Sequence, residues 1–193
     1  MQSKSTRRMV GMAILIAVTV GLQVVASYIR FGPFSITLAL IPIVIGAAMY
    51  GAKAGAVLGG AFGVVVLVFT ITGVDVGAHI LWAANPALTA VLCVGKGVLA
   101  GLAAGLVYSA LANANRTLGT ICAAIVCPIV NTSIFLAAMA LFYREILAAW
   151  AGDTPLLYYT LIGLTGVNFL LEFGVNAVLA STVVRIIAVV KKA

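Results

Sequence analysis

Asn168, Glu172 and Asn176 stand four residues apart in the otherwise apolar stretch NFLLEFGVNAVL. Residues at that spacing stack along one side of a helix, so a carboxylate is expected between two amides on a single helical face. A charged side chain in the middle of a membrane span costs about 2.5–3.5 kcal/mol or more, and is there for function or beside a partner. Two further polar residues, Lys96 and Asn131, interrupt apolar runs elsewhere in the chain. Three chemistries fit this set. A Lys96–Glu172 ion pair would hold helices in register, with the amides as its hydrogen-bond partners. A polar cup would hold a small solute, the same groups supplying orientation and specificity. A proton or ion relay would also use a buried carboxylate, but a single acid within the spans makes a poor chain. The number of polar groups exceeds what one structural pair needs, which favours the cup.

No catalytic set accompanies them. His79 is the only histidine and has no nucleophile or metal-ligand partner at a useful spacing. The VGKG stretch at 94–97 lacks both the preceding glycine and the following Ser or Thr of a phosphate-binding loop. The chain is therefore expected to be no enzyme, to use no cofactor or metal, and to be unable to use ATP by itself. Cys93, Cys122 and Cys127 lie in apolar runs and are odd in number, so they read as small buried hydrophobes.

The elements that must position these residues follow from composition. Of 193 residues, 64% are hydrophobic and 8% charged, and the mean hydropathy is +1.26; this is the signature of an integral membrane protein. Long apolar stretches predict helices rather than barrel strands. The expected architecture is a single all-α domain over residues 1–193 with six transmembrane helices, at about 10–29, 36–50, 54–72, 87–112, 118–142 and 161–190. The amino-terminal apolar stretch exceeds a signal-peptide core and reads as a retained first span. The second span is short and contains Pro42, which predicts a tilt, a kink or shielding by neighbours.

The formal charge of +7 does not indicate nucleic acid, because the basic residues are scattered singly at the ends of apolar runs. With both termini cytoplasmic, Lys4, Arg7, Arg8, Lys53, Arg116, Arg185, Lys191 and Lys192 fall on the inner side and only Arg30 and Arg144 outside, as the positive-inside bias requires. The connections at 73–86 and 143–159 are then long and external, while the inner turns are brief. This asymmetry points to a site opening outward. At about 1.5 Å per residue, Lys96 and Glu172 each lie on the order of 15 Å below the outer ends of their spans, and Asn131 reaches a similar level.

Small residues recur four apart: Ala13, Ala17 and Gly21 in the first span, Gly51, Gly55, Gly59 and Gly63 around the third, Gly97, Gly101 and Gly105 in the fourth. Such ladders let helices approach closely in lipid. The later two read as internal packing. The first span carries no other polar feature in this reading, so its ladder is the candidate surface for another protein.

Five stretches together resemble a known family: AILIA in the first span, ITLALIPIVIGAAMYGAKAGAVLGG, GKGVLAGLAAGLVY, CPIVNTSIF and NFLLEFGVNAVLASTVVRI. In order and spacing, over nearly the whole chain, they are similar to the substrate-binding S components of energy-coupling factor (ECF) transporters, bacterial six-helix membrane proteins that capture vitamins and related micronutrients. The resemblance implies a multi-pass protein of the bacterial cell membrane that binds a small molecule in the outward half of the bundle, beneath external connections. It implies substrate roles for Lys96, Asn131, Asn168, Glu172 and Asn176. It also implies that Ala13 and Ala17, with Gly21 continuing their ladder, dock on a transmembrane coupling subunit, two ATPase subunits then driving delivery inward.

Gly95 and Lys96 stand where many members have a proline and an arginine, and neither a crowd of external tryptophans nor an amino-terminal histidine motif is present. Lys96, Arg30 and Arg144 would suit a carboxylate or phosphate on the cargo, and Phe34, Trp82, Trp150, Tyr158 or Tyr159 could cover an apolar part. The competing function is an autonomous small-solute channel or ion-coupled carrier; a membrane scaffold without cargo is a third.

Overall fold

The computed structural model describes residues 4–29, 34–164 and 166–192. Among these the regular elements are helical: α1 (Lys4–Ala26), α2 (Leu40–Tyr50), α3 (Ala52–Ile71), α4 (Val76–Ala84), α5 (Pro86–Leu111), α6 (Arg116–Phe142), α7 (Arg144–Ala151), α8 (Leu156–Tyr158) running into a π-helical turn (Tyr159–Gly163), and α9 (Gly166–Lys192). Five stretches, Ser5–Ala26, Ala52–Ile71, Pro86–Leu111, Arg116–Phe142 and Leu156–Leu179, are long and apolar enough to cross a membrane. The second predicted span is different. Helix α2 has 11 residues, a rise of about 16 Å at 1.5 Å per residue, against a hydrocarbon core of about 30 Å.

Helix α2 is short because it is shielded. It packs against α1, α3, α5, α6 and α9, and Leu40, Ile43, Val44 and Ala47 are wholly buried. Pro42 does not kink it. The proline is the third residue of the helix, within the first turn, where backbone N–H groups have no intrahelical acceptor to lose.

The tightest pairing is between α3 and α5, and glycine is the reason. Gly55 faces Gly101, Gly59 faces Gly97 and Gly63 faces Cys93 and Val94, each glycine meeting the backbone of the opposite helix. The numbering runs in opposite senses, so the helices are antiparallel. A Cβ on Gly63 would lie 2.6 Å from the Cys93 carbonyl oxygen, closer than any side chain can sit. The two ladders expected to serve internal packing do so except at Gly51, which stands at a positive φ in the turn between α2 and α3 with nothing within 4 Å of a Cβ.

Asparagine side chains start the long helices α5 and α6. Asn85 accepts from Leu88 N–H ahead of α5, with Pro86 at its first position, and Asn115 accepts from Leu118 N–H ahead of α6. The long connections are themselves folded. Helix α4 buries Gly77, Ala78 and Leu81, and α7 buries Leu147 and Ala151. They lie at the same end of the bundle as the segment before α2, since each joins the far end of one long helix to the start of the next.

Two apolar clusters divide the interior. One gathers Leu40, Ile43, Leu58, Phe62, Ala100, Ala104, Ala124 and Cys127; the other, beneath α4 and α7, gathers Leu81, Leu92, Ala138, Met139, Tyr143 and Leu147. Along α5 the residues between Leu92 and Ala100 belong to neither core, and along α6 the stretch from Asn131 to Ser133 separates Val130, packed on the first core, from Ile134, packed on the second. Lys96 and Asn131 lie in those gaps.

Candidate ligand cavity

The gap between the two cores is a cavity. Its volume is about 70 Å³, below the range of about 300–1,000 Å³ typical of small-molecule sites. Helix α5 contributes Thr89, Leu92, Cys93 and Lys96; α6 contributes Asn131, Thr132 and Phe135; α9 contributes Asn168, Phe169 and Glu172. Gln23 of α1, Val66 of α3, Asp75, Ala78 and Leu81 at α4, and Phe34, Ser35 and Thr37 ahead of α2 complete the wall. Five of the sequence-predicted residues, Phe34, Lys96, Asn131, Asn168 and Glu172, therefore meet around one space.

The non-helical segment at 34–39 closes one side and is held by side chains distant in sequence. Asp75 caps α4 by accepting from Ala78 N–H at 3.0 Å through Oδ1, while its Oδ2 accepts from the Ser35 hydroxyl at 2.7 Å and from Ser35 N–H at 3.3 Å. Asn168 Nδ2 donates to the Phe34 carbonyl oxygen at 3.1 Å. The Phe34 ring sits edge-on to Phe135 at 4.9 Å and to Trp150 at 5.8 Å. Thr89 and Tyr143 hydroxyls, 2.7 Å apart, tie α5 to the end of α6. His79 is structural here, its Nδ1–H donating to the Thr70 carbonyl oxygen at 2.9 Å, which pins α4 to α3.

Asp75→Ala removes a helix cap and both contacts to Ser35. It is expected to lower the stability of the folded protein by about 1–3 kcal/mol and to speed amide hydrogen exchange across residues 34–39 before other regions. Equal exchange rates in the variant would show that the segment is held by its apolar contacts alone.

The ion pair considered from sequence does not form. Lys96 Nζ lies 5.4 Å from the centroid of the Phe135 ring, a cation–π arrangement. Glu172 feels the charge of Lys96 across the cavity and lies beside Thr37. Several amides are left with unused capacity: Gln23 Oε1, Asn131 Oδ1, Asn168 Oδ1 and Asn176 Oδ1 are buried and accept no hydrogen bond within the protein. A buried unpaired polar atom costs about 1–3 kcal/mol, and three of these four, on Gln23, Asn131 and Asn168, belong to residues of the cavity wall.

Other expected positions fall elsewhere. Asn176 is buried one turn beyond Glu172, donating to the Glu172 carbonyl oxygen at 2.7 Å, and is not part of the cavity wall. Trp150 stands behind Phe34 rather than in the wall. Trp82 is half-buried on α4, and Tyr158 is exposed; neither lines the cavity. Arg144 is exposed at the start of α7, and Arg30 lies outside the described residues. On α1, Ala13, Ala17 and Gly21 are exposed, and nothing stands within 4 Å of where a Gly21 Cβ would be.

One expectation is corrected. The first span is not free of polar features: Thr19, Gln23 and Ser27 are fully or almost fully buried, and Gln23 reaches the cavity. Their four-residue spacing is the signal that marked α9, and it was legible in α1 as well. Ser35, Thr37 and Asp75 carried no comparable signal, because each sits in an irregular segment or at a helix cap.

A family model for the substrate-specific component of ECF transporters matches residues 7–184. No curated protein matches the chain.

Proposed function

The chain belongs to the family of ECF transporter substrate-specific components, and from that premise we propose that it captures a vitamin or related micronutrient from outside the cell in the cavity between its two apolar cores. Membership makes it a membrane-embedded substrate-binding subunit and no enzyme. In this reading α2 and the segment before it complete a sixth crossing, both termini face the cytoplasm of a bacterial cell, and α4 and α7 roof the site on the outer side. Lys96, Asn131, Asn168 and Glu172 bind the cargo, with Gln23 as an added contact and Phe34 and Phe135 along its apolar part. A transmembrane coupling subunit and two ATPase subunits then power delivery inward.

The observation that carries this reading is the polar cavity itself, with unpaired amide oxygens on three different helices. A merely structural network would satisfy its own members. The full chain, purified in detergent, is expected to retain a small organic molecule at one-to-one stoichiometry, detected by mass spectrometry of a denatured extract. A broad vitamin panel in which no member raises the thermal stability, with nothing retained, would sink the reading. Efficient flux in liposomes holding this chain alone would favour the autonomous channel or carrier instead.

The exposed ladder on α1 is read as the docking face for the coupling subunit. Close helix approach depends on small side chains, so Ala17→Trp is expected to abolish co-purification with the coupling subunit while leaving cargo affinity within about twofold. Intact co-purification would assign docking to another face.

A further inference from the structure

The polar groups around the cavity divide by what remains free on each. Asp75 is engaged within the protein at both oxygens, which receive Ala78 N–H, Ser35 N–H and the Ser35 hydroxyl. Lys96 is less so. Its ammonium has three donors, and the contact the protein offers it is the face of Phe135, at 5.4 Å. On the other side, Gln23, Asn131 and Asn168 are each more than nine-tenths buried and carry amide oxygens with no donor. The Glu172 carboxylate has about four lone-pair directions and lies beside Thr37.

The cavity thus has a surplus donor with a positive charge on α5, and surplus acceptors on α1, α6 and α9. A plain anion such as phosphate would answer Lys96 and leave the amide oxygens empty. A cation or neutral amine would answer the acceptors, and leave the half-buried Lys96 ammonium with no acceptor on the solute. A fully apolar solute would answer neither. Sites built to hydrogen-bond a solute reject analogues lacking the matching group by large factors, because the site's own groups are then stranded.

Resting on the solute-capture reading, we propose that the cargo is bifunctional: it carries an anionic group received by Lys96 and, at a separate position, at least two N–H or O–H donors received by the amide oxygens of Gln23, Asn131 and Asn168 together with Glu172. Phe34 and Phe135 would flank the apolar stem joining the two ends. The site then selects against any solute holding only one of the two functions.

The test uses the molecule extracted from the purified full chain, its methyl ester, and 4-phenylbutanoate as an anion without donors. Mass spectrometry is expected to find both a carboxyl or phosphoryl group and at least two N–H or O–H donors in the extracted molecule. By titration calorimetry, Lys96→Met should weaken the free acid about thirtyfold or more while changing the ester by no more than about twofold, and Lys96→Arg should recover most of the loss. Gln23→Leu should weaken acid and ester alike by about tenfold, and 4-phenylbutanoate should bind at least a hundredfold more weakly than the extracted acid. Thermal unfolding of each empty variant excludes misfolding as the cause. An extracted molecule without an anionic group, or equal losses of acid and ester in Lys96→Met, overturns the bifunctional assignment and leaves solute capture standing. Failure to extract any small molecule, together with no stabilisation by any member of the vitamin panel, overturns solute capture itself.

Discussion

Gly59→Ala is expected to remove most of the folded protein from detergent extracts, whereas Gly95→Ala in the partner helix is not. The added methyl at position 59 would lie 2.5 Å from the Gly97 carbonyl carbon, a distance at which neither helix can yield by changing a rotamer. The helices must part. Parting them would also break the contacts of Gly55 with Gly101 and of Gly63 with Cys93, because the three lie along one seam. Overpacking an interior costs about 1–3 kcal/mol and occasionally more, and a backbone obstruction at the tightest seam of the bundle belongs at or above the upper end. A Cβ on Gly95 meets nothing within 4 Å, so the same chemical change there is accommodated. Fluorescence-detected size exclusion after heating separates the two variants. Similar thermal profiles would mean that α3 and α5 are not in backbone contact.

Asn131→Leu is expected to act in opposite directions on stability and binding. The asparagine is 3% exposed and its Oδ1 has no donor within the protein. An apolar side chain of similar size removes that unpaired atom, relieving about 1–3 kcal/mol and raising the unfolding temperature of the empty protein. The same change deletes a cargo contact, and affinity should fall by about 10–100-fold, the range for losing one or two hydrogen bonds to a desolvated solute. A structural asparagine would do the reverse, losing stability and sparing affinity. Unfolding curves with and without cargo decide between them. A lower unfolding temperature for the empty variant, with affinity unchanged, would remove Asn131 from the site.

The two predictions probe different parts of the design. The glycine seam sets how deep and at what rotation α5 sits against its neighbour, and Lys96 lies one residue from Gly97. Its position at the cavity is therefore a consequence of that packing. The unpaired amides report what the packing leaves over.

Membrane character, the length and order of the long helices, the internal role of the glycine ladders and the polar face of α9 were all legible from the chain. Each depends on properties local in sequence: hydropathy summed over about twenty residues, spacing four apart on a helix, and capping or turn residues such as Asn85 and Pro86. Lys96 and Asn131 could be placed at the level of Glu172 because rise per residue is nearly constant. Gln23 was equally within reach, but a neutral amide in an apolar helix interrupts hydropathy less than a charge does, and the small-residue ladder on the same helix drew the reading outward.

Tertiary structure alone decided which of these residues share a space. Ser35 and Asp75 are forty residues apart and Phe34 and Asn168 are 134 apart, and no periodicity couples such positions. Trp82 and Tyr158, on connections at the same end of the bundle as Phe34, do not enter the wall, because the rotation of a short helix or turn is set by what it packs upon. The same holds for Lys96 and Glu172: the sequence put them at one depth, and only the packed rotations of α5, α6 and α9 turned one toward Phe135 and the other toward Thr37. Local periodicity specifies the face and height of a side chain on its own helix, whereas distance to another helix is a property of their contact.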